Sequence, residues 1–127
     1  MEKGMKGKQE VVVTGELTAS AVGSGTASVY ATPMMIALVE KTCMLSVAPS
    51  LLEGEGTVGT MVNVSHLSAT PVGMKVRCES ELVEVDRRRL VFKVSVYDEC
   101  GLVGEGTHER FIVNNDKFQA KADSKNK

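Results

Sequence analysis

The hydrophobic pattern of this chain changes from a nearly continuous apolar run to alternating positions after residue 56. The run follows Thr32-Pro33 and stops at Ala48-Pro49. Because threonine can cap free backbone N–H groups and proline suits the first helical turn, it predicts a helix over residues 34–47. The proline at its end disfavours further helix. Apolar residues surround most of the axis, which is typical of a buried helix.

Strands are predicted on both sides of this helix. The β-branched run 9–14 is typical of a first strand. Four long strands are expected over residues 57–65, 73–85, 90–97 and 102–113. Apolar side chains alternate along them, as half-buried strands require. The small, polar residues 17–28 predict a mobile loop, and a loop of that length in a compact domain is often a lid over a site.

The predicted order is strand, loop, one long buried helix and an antiparallel meander. A flat sheet cannot cover every side of one helix, so the sheet must curl around it. This α+β architecture is called the hot-dog fold. Pairing two such sheets edge to edge removes an open edge strand, so we expect a homodimer or a higher homo-oligomer.

Composition points to one domain of 127 residues with flexible ends at 1–8 and 122–127. The net charge of -1 gives no argument for nucleic acid or a membrane surface. No apolar signal segment opens the chain, and charges interrupt its longest apolar run. Three cysteines without finger-type spacing indicate reduced thiols and no metal site. We therefore expect a soluble cytoplasmic domain.

Three polar residues are candidates for chemistry. A carboxylate inside an apolar helix is costly unless paired or hydrated, so Glu40 either marks a solvated stripe or faces a cleft. His66 is either a structural histidine or a base. Capping alone explains Thr32, but its hydroxyl could be a nucleophile beside a base. Eight helical residues rise about 12 Å, so Thr32 and Glu40 need a third group or a partner subunit between them.

The glycines after the helix suggest a different kind of contribution. Gly54, Gly56 and Gly59 formally match GxGxxG, but a dinucleotide site needs a strand before the motif and a helix after it, so that reading is rejected. A turn explains the first two. Gly59, inside a strand, indicates close approach of another chain or a ligand, and its N–H could serve an oxyanion. Arg110 could anchor a dimer or an anionic ligand group, and His108 is interpreted as structural.

Eight short motifs between residues 29 and 121 carry a family resemblance. They are Tyr30-Ala31-Thr32, residues 35–40, Ala48-Pro49, Gly54-Glu55-Gly56, Val58-Gly59-Thr60, residues 65–73, residues 106–110 and residues 117–121. Together they resemble the fluoroacetyl-CoA thioesterase-like group of hot-dog thioesterases.

The resemblance implies a function and a set of site residues. The catalytic threonine, glutamate and histidine of that group fall on Thr32, Glu40 and His66. The glycine thought to bind the thioester oxygen falls on Gly59, and an arginine near the cleft falls on Arg110. An acyl-CoA substrate is implied, with coenzyme A present as part of that substrate and no other cofactor.

One segment departs from that group. The fluoroacetyl enzyme has bulky aromatics before its catalytic threonine, whereas residues 23–28 here contain none. Fluoroacetyl specificity is therefore not carried over, and the sequence favours an acyl-CoA thioesterase for a small acyl group. The alternatives are a non-catalytic acyl-CoA or acyl-carrier binding module on the same fold, and a hot-dog dehydratase.

Overall fold

The computed structural model describes residues 1–126 as five strands, three α-helices and two short 3-10 turns. Lys127, part of the tail expected to be flexible, lies outside the described residues. The strands are β1 (Lys6–Val12), β2 (Glu55–His66), β3 (Lys75–Asp86), β4 (Arg89–Asp98) and β5 (Gly101–Asn114). The helices are α1 (Ala19–Val22), α2 (Thr32–Val47) and α3 (Asn115–Asp123), and the 3-10 turns cover Gly15–Leu17 and Ala48–Ser50.

The strands form one antiparallel sheet in the order β1-β3-β4-β5-β2. β3, β4 and β5 are consecutive neighbours, as in the predicted meander, while β1 and β2 lie at the two edges. The prediction of a four-strand meander is wrong for β2, which pairs with β5 and not with β3, because residues 67–74 cross to the far side of the sheet instead of forming a hairpin. One face carries the alternating buried residues of β3 and β4 and packs against α2. This α+β arrangement of one sheet around one helix confirms the predicted fold class.

Helix α2 is less completely buried than its composition predicts. One face points into the core, with Met35, Val39 and Cys43 fully buried. On the other side, Met44 and Leu45 are each 40% exposed. The prediction of burial on all sides is therefore wrong for a single chain, because the curled sheet reaches around only part of the helix. Among residues 1–126, no helix combines the length and apolarity needed to cross a membrane.

The ends of the chain are more ordered than the polar sequence suggests. β1 begins at Lys6, so it includes residues assigned above to the flexible N-terminus, and Lys6 lies opposite Glu81. Gly7 allows β1 to lie close to α2, since a Cβ there would be 2.7 Å from the Cβ of Ser46. At the other end, α3 replaces the expected polar tail. Phe118 remains 48% exposed on it and does not dock onto the domain.

Candidate active site

Thr32 lies at the first position of α2, and its hydroxyl faces a histidine. Its Oγ1 is 2.7 Å from Nδ1 of His66 at the end of β2. The N-cap position belongs to Ala31, which has no side chain able to cap. The capping explanation of Thr32 is therefore wrong, because the helix begins one residue earlier than capping would require. Its hydroxyl is free to act with His66.

His66 is held in the form that can act as a base. Burial lowers the pKa of His66, which favours the neutral ring. A neutral ring can accept the Thr32 hydroxyl proton at Nδ1 while carrying its own hydrogen on Nε2. That Nε2 is buried and has no hydrogen-bond partner within residues 1–126. The pair is thus a hydroxyl and a base in hydrogen-bond contact, the arrangement that activates an oxygen nucleophile.

A pocket of about 280 Å³ opens beside this pair. Its walls come from Ala19 and Ser24, from Val29 and Tyr30, and from residues 67–69. The segment expected to form a loop over a site thus contributes to the pocket, and it contains α1. The buried Tyr30 supports the wall from behind, since its hydroxyl donates to the Met34 carbonyl at 3.1 Å.

A second polar cluster lies farther along α2. Arg110 on β5 is 5% exposed and donates from Nε to Thr57 Oγ1 and from Nη2 to the Thr57 carbonyl, both at 2.8 Å. Its Nη1 is 3.4 Å from Oε2 of Glu40, whose side chain is 44% exposed. Glu40 is therefore paired with a cation at the edge of the core rather than placed on a solvated stripe with Lys41. The pairing offsets the cost of a carboxylate on an apolar helix.

Gly59 sits directly over this cluster. It lies opposite Arg110 in the β2–β5 register, next to an irregularity between Gly59 and Met61. A Cβ at this position would be 2.6 Å from Oε2 of Glu40 and 3.3 Å from Cε1 of His108. The sequence predicted close approach of another chain or a ligand here. The groups that approach Gly59 in this structure are side chains of the same chain.

The site residues named from the sequence form two groups within one chain. Thr32 contacts His66, while Glu40 and Arg110 lie under Gly59. The groups are separated by about 12 Å along α2 and by about 23 Å along β2. Among the described residues, no hydrogen bond joins them. One chain therefore presents two half-sites at opposite ends of the same exposed edge.

Two residues hold the second group in place: sequence reasoning missed Thr57, and it interpreted His108 as structural without placing it beside Arg110. Thr57 fixes Arg110, and His108 contacts Arg110 through Nε2 at 3.2 Å. The position of Thr57 depends on the β2–β5 register, which local sequence does not reveal. A signal did exist for His108, because residues two apart on a strand share a face. That spacing alone places the imidazole beside the guanidinium.

The buried thiols do not supply an alternative nucleophile. Cys43 and Cys78 are fully buried, and burial raises their pKa values to about 12 and about 11. Neutral thiols are poor nucleophiles. A larger cavity of about 430 Å³ lies across β1, β3 and β4, lined by side chains such as Lys6, Glu79 and Lys93, and it contains none of the candidate residues.

The sheet curled around one helix is the hot-dog fold, and the similarity of this chain to known proteins places it among the hot-dog fold thioesterases. A protein from Thermus thermophilus described as a thioesterase superfamily member has a similar fold, with a TM-score of 0.87 and 31% identity over 95% of this chain and 90% of its own. It is similar in fold and in sequence across nearly the whole domain.

The particular family follows from three further similarities. A family model described as fluoroacetyl-CoA-specific thioesterase, FlK, matches residues 13–116. The fluoroacetyl-CoA thioesterase of Streptantibioticus cattleyicolor is 43% identical over 97 residues, which are 76% of this chain and 70% of that protein. A solved structure of the fluoroacetyl-CoA thioesterase FlK covers 100% of this chain and 98% of its own, with a TM-score of 0.95 and 35% identity. This chain belongs to the fluoroacetyl-CoA-specific thioesterase family.

Proposed function

We propose that this protein hydrolyses small acyl-CoA thioesters to the free acid and CoA. Its family makes it a thioester hydrolase. The observation that carries the proposal is the 2.7 Å contact between Thr32 Oγ1 and His66 Nδ1 at the mouth of a pocket. Thioester hydrolysis needs an oxygen nucleophile and a base to take its proton, and this pair supplies both.

The reaction requires one proton to move in each direction. His66 accepts a proton at Nδ1 from the attacking hydroxyl, which belongs to Thr32 itself or to a water held by Thr32. The oxygen bonds to the thioester carbonyl carbon, and the carbon–sulfur bond then breaks. CoA leaves as the thiol with the proton returned by His66. Direct attack by water yields the acid at once, whereas attack by Thr32 yields an ester that one water molecule then cleaves, which releases the acid and restores the hydroxyl.

Glu40, Gly59 and Arg110, the second group of residues, would stabilise the charges that develop during this reaction. We assign Glu40 to orienting and polarising the base, and the Gly59 N–H to the oxyanion formed at the thioester carbonyl. Arg110 uses four of its five N–H donors on Thr57, His108 and Glu40. That pattern favours a role in holding the Glu40 carboxylate in position over direct binding of a substrate phosphate.

A homodimer would bring the two half-sites together. β2 is an edge strand with a neighbour, β5, on one side only, and the exposed side of α2 lies along the same edge. In an antiparallel pairing of two β2 strands, a two-fold axis between Val62 and Asn63 would set His66 opposite Gly59 of the partner subunit. The Thr32–His66 pair of one chain would then face Glu40 of the partner subunit. This arrangement also removes the free edge.

We expect the pocket beside Thr32 and His66 to bind a small acyl group without selecting for fluorine. Its walls use alanine, serine and valine from the 19–29 segment, and residues 23–28 contain no aromatic ring. We also propose a cytoplasmic location, where a reducing environment would keep the free thiols of Cys43, Cys78 and Cys100 unpaired.

A panel of short acyl-CoAs tests the proposal. The wild type should release CoA, and His66→Ala should lower kcat by a factor between about 100 and 10,000, the range for loss of a positioned base. Ser65→Ala is the matched control, because this exposed neighbour points to the other face of β2. CoA should be followed by chromatography, since the exposed thiol of Cys100 would react with a thiol reagent.

Two results would count against this assignment. Equal rates for the wild type and His66→Ala would remove His66 from the site. Stoichiometric acyl-CoA binding with no turnover on any substrate would support the binding-module alternative instead.

A further inference from the structure

His108 is a fully buried histidine that the proposed reaction does not use directly. Both of its ring nitrogens have partners. Nδ1 is 2.8 Å from the Met61 carbonyl oxygen, and Nε2 is 3.2 Å from Nη1 of Arg110. Its ring also stacks on Phe92, with the centroids 6.3 Å apart. The imidazole is thus held in one place and one orientation.

The two partners of His108 specify a single protonation state. A carbonyl oxygen can only accept a hydrogen bond, and a guanidinium can only donate one. Nδ1 must therefore carry a hydrogen and Nε2 must be bare. The ring that fits this position is neutral, with its hydrogen on Nδ1.

The bare Nε2 of His108 accepts one N–H of Arg110 Nη1 and thereby fixes the direction of the other N–H of Nη1. The two N–H bonds of Nη1 lie in one rigid plane at a fixed angle. One of them points at His108 Nε2, and the other points at Oε2 of Glu40, 3.4 Å away. Thr57 holds Nε and Nη2 on the other side. Among residues 1–126, the half-exposed Glu40 carboxylate accepts its hydrogen bond from Arg110.

We infer that His108 is a positioning residue, whose neutral ring fixes Arg110 so that the guanidinium holds the Glu40 carboxylate in its working orientation. The inference rests on the proposed function, in which Glu40 orients and polarises the base. It differs from a packing role, because it depends on one lone pair rather than on the volume of the ring.

Protonation of His108 would cancel this arrangement. An N–H at Nε2 would face the N–H of Arg110, and a second positive charge would lie beside the guanidinium. The charged groups around the ring are Arg110, Glu40 and Glu109. Burial lowers the pKa of His108, the Met61 hydrogen bond opposes this shift, and Arg110 adds to it. The neutral ring is thus favoured at the pH where the enzyme would work.

A double-mutant cycle separates positioning from packing. His108→Leu should lower kcat by about tenfold to a hundredfold, the cost of a slightly misplaced catalytic group, with a smaller change in KM. His108→Gln should recover part of the loss, since its amide oxygen can accept from Arg110. In a Glu40→Gln background, His108→Leu should lower kcat less than about twofold further, because its effect passes through Glu40. Independent losses that multiply in the double variant would overturn the inference.

A second measurement is independent of turnover. Nitrogen NMR of the imidazole groups should show His108 of the wild-type protein at neutral pH with its hydrogen on Nδ1. A charged ring, or a hydrogen on Nε2, would overturn the inference even if the enzyme were fully active. Conversely, absence of hydrolysis of any acyl-CoA would sink the proposed function and the role of Glu40, while the NMR result would still decide the His108–Arg110 contact. If His108→Leu does not fold, the His108→Gln and Glu40→Gln variants carry the same cycle.

Discussion

Replacing Gly59 by alanine would test whether the Glu40 carboxylate must occupy the space over this glycine. The new Cβ would lie 2.6 Å from Oε2 of Glu40, so the oxygen must retreat to about 3.4 Å for an ordinary contact. Oε2 is also the atom that contacts Arg110 at 3.4 Å. The methyl group therefore displaces the carboxylate from its cation.

Gly59→Ala should have a small effect on the free energy of unfolding and a large effect on the rate of hydrolysis. The shortest clash involves the far end of a flexible, half-exposed side chain, but the Cβ would also lie 3.3 Å from Cε1 of the buried His108 ring, so the free energy of unfolding should fall by about 1 kcal/mol. A displacement of this size at a catalytic group costs about a hundredfold in rate, equivalent to about 2.7 kcal/mol. The N–H proposed for the oxyanion remains in alanine, so the loss reports on Glu40.

Steady-state hydrolysis of acyl-CoA and urea denaturation should be measured together. Gly56→Ala is the matched control. Gly56 is on the same strand, and a Cβ there would lie 2.5 Å from Oδ1 of the exposed Asn115 side chain and away from Glu40. Gel filtration should show the same oligomeric state for all three proteins. Full activity in a folded Gly59→Ala protein would refute the proposed placement of Glu40.

Two further predictions concern the subunit arrangement and the pH. Mixing inactive His66→Ala and Glu40→Gln proteins should restore about a quarter of the wild-type activity, since half of the randomly formed dimers would carry one intact shared site; no recovery after proven subunit exchange would place the whole site in one chain. Burial lowers the pKa of both His66 and His108 in the folded chain, so the unfolded chain binds protons first as the pH falls below about 6.5. The free energy of unfolding should therefore decrease as the pH falls below that value, and these two groups should not change it at higher pH. His108→Leu should reduce the dependence of the free energy of unfolding on pH. Urea titrations that give the same pH dependence for both proteins would contradict this prediction.

Local sequence was sufficient for the main elements of the fold. The helix over residues 32–47 and the meander from β3 to β5 appear where the helical and alternating patterns predict them. These patterns are local, because each depends on the period of one segment. β1 begins earlier than its apolar run, since Lys6 is in the strand through its backbone pairing with β3. Hydrophobicity does not report such pairing.

The C-terminal helix illustrates a different limit. α3 has no buried residue, so no apolar stripe marks it in the sequence. Its start depends on Asn114, whose side chain accepts from the N–H of Lys117 at 3.0 Å. Such a cap is visible in a sequence only after the end of β5 is known.

The residue types that are candidates for the chemistry, and the fact that two of them could not meet, followed from the amino-acid sequence alone. Glu40 stood out as a carboxylate on an apolar helix, and the rise of that helix separated it from Thr32. The contacts of Thr32 with His66, and of Glu40 with Arg110 beneath Gly59, are evident only in the folded chain. The reason is physical: each of these contacts joins different elements, so it depends on strand register and on how the sheet curls around the helix, and neither is encoded in any one segment of the chain.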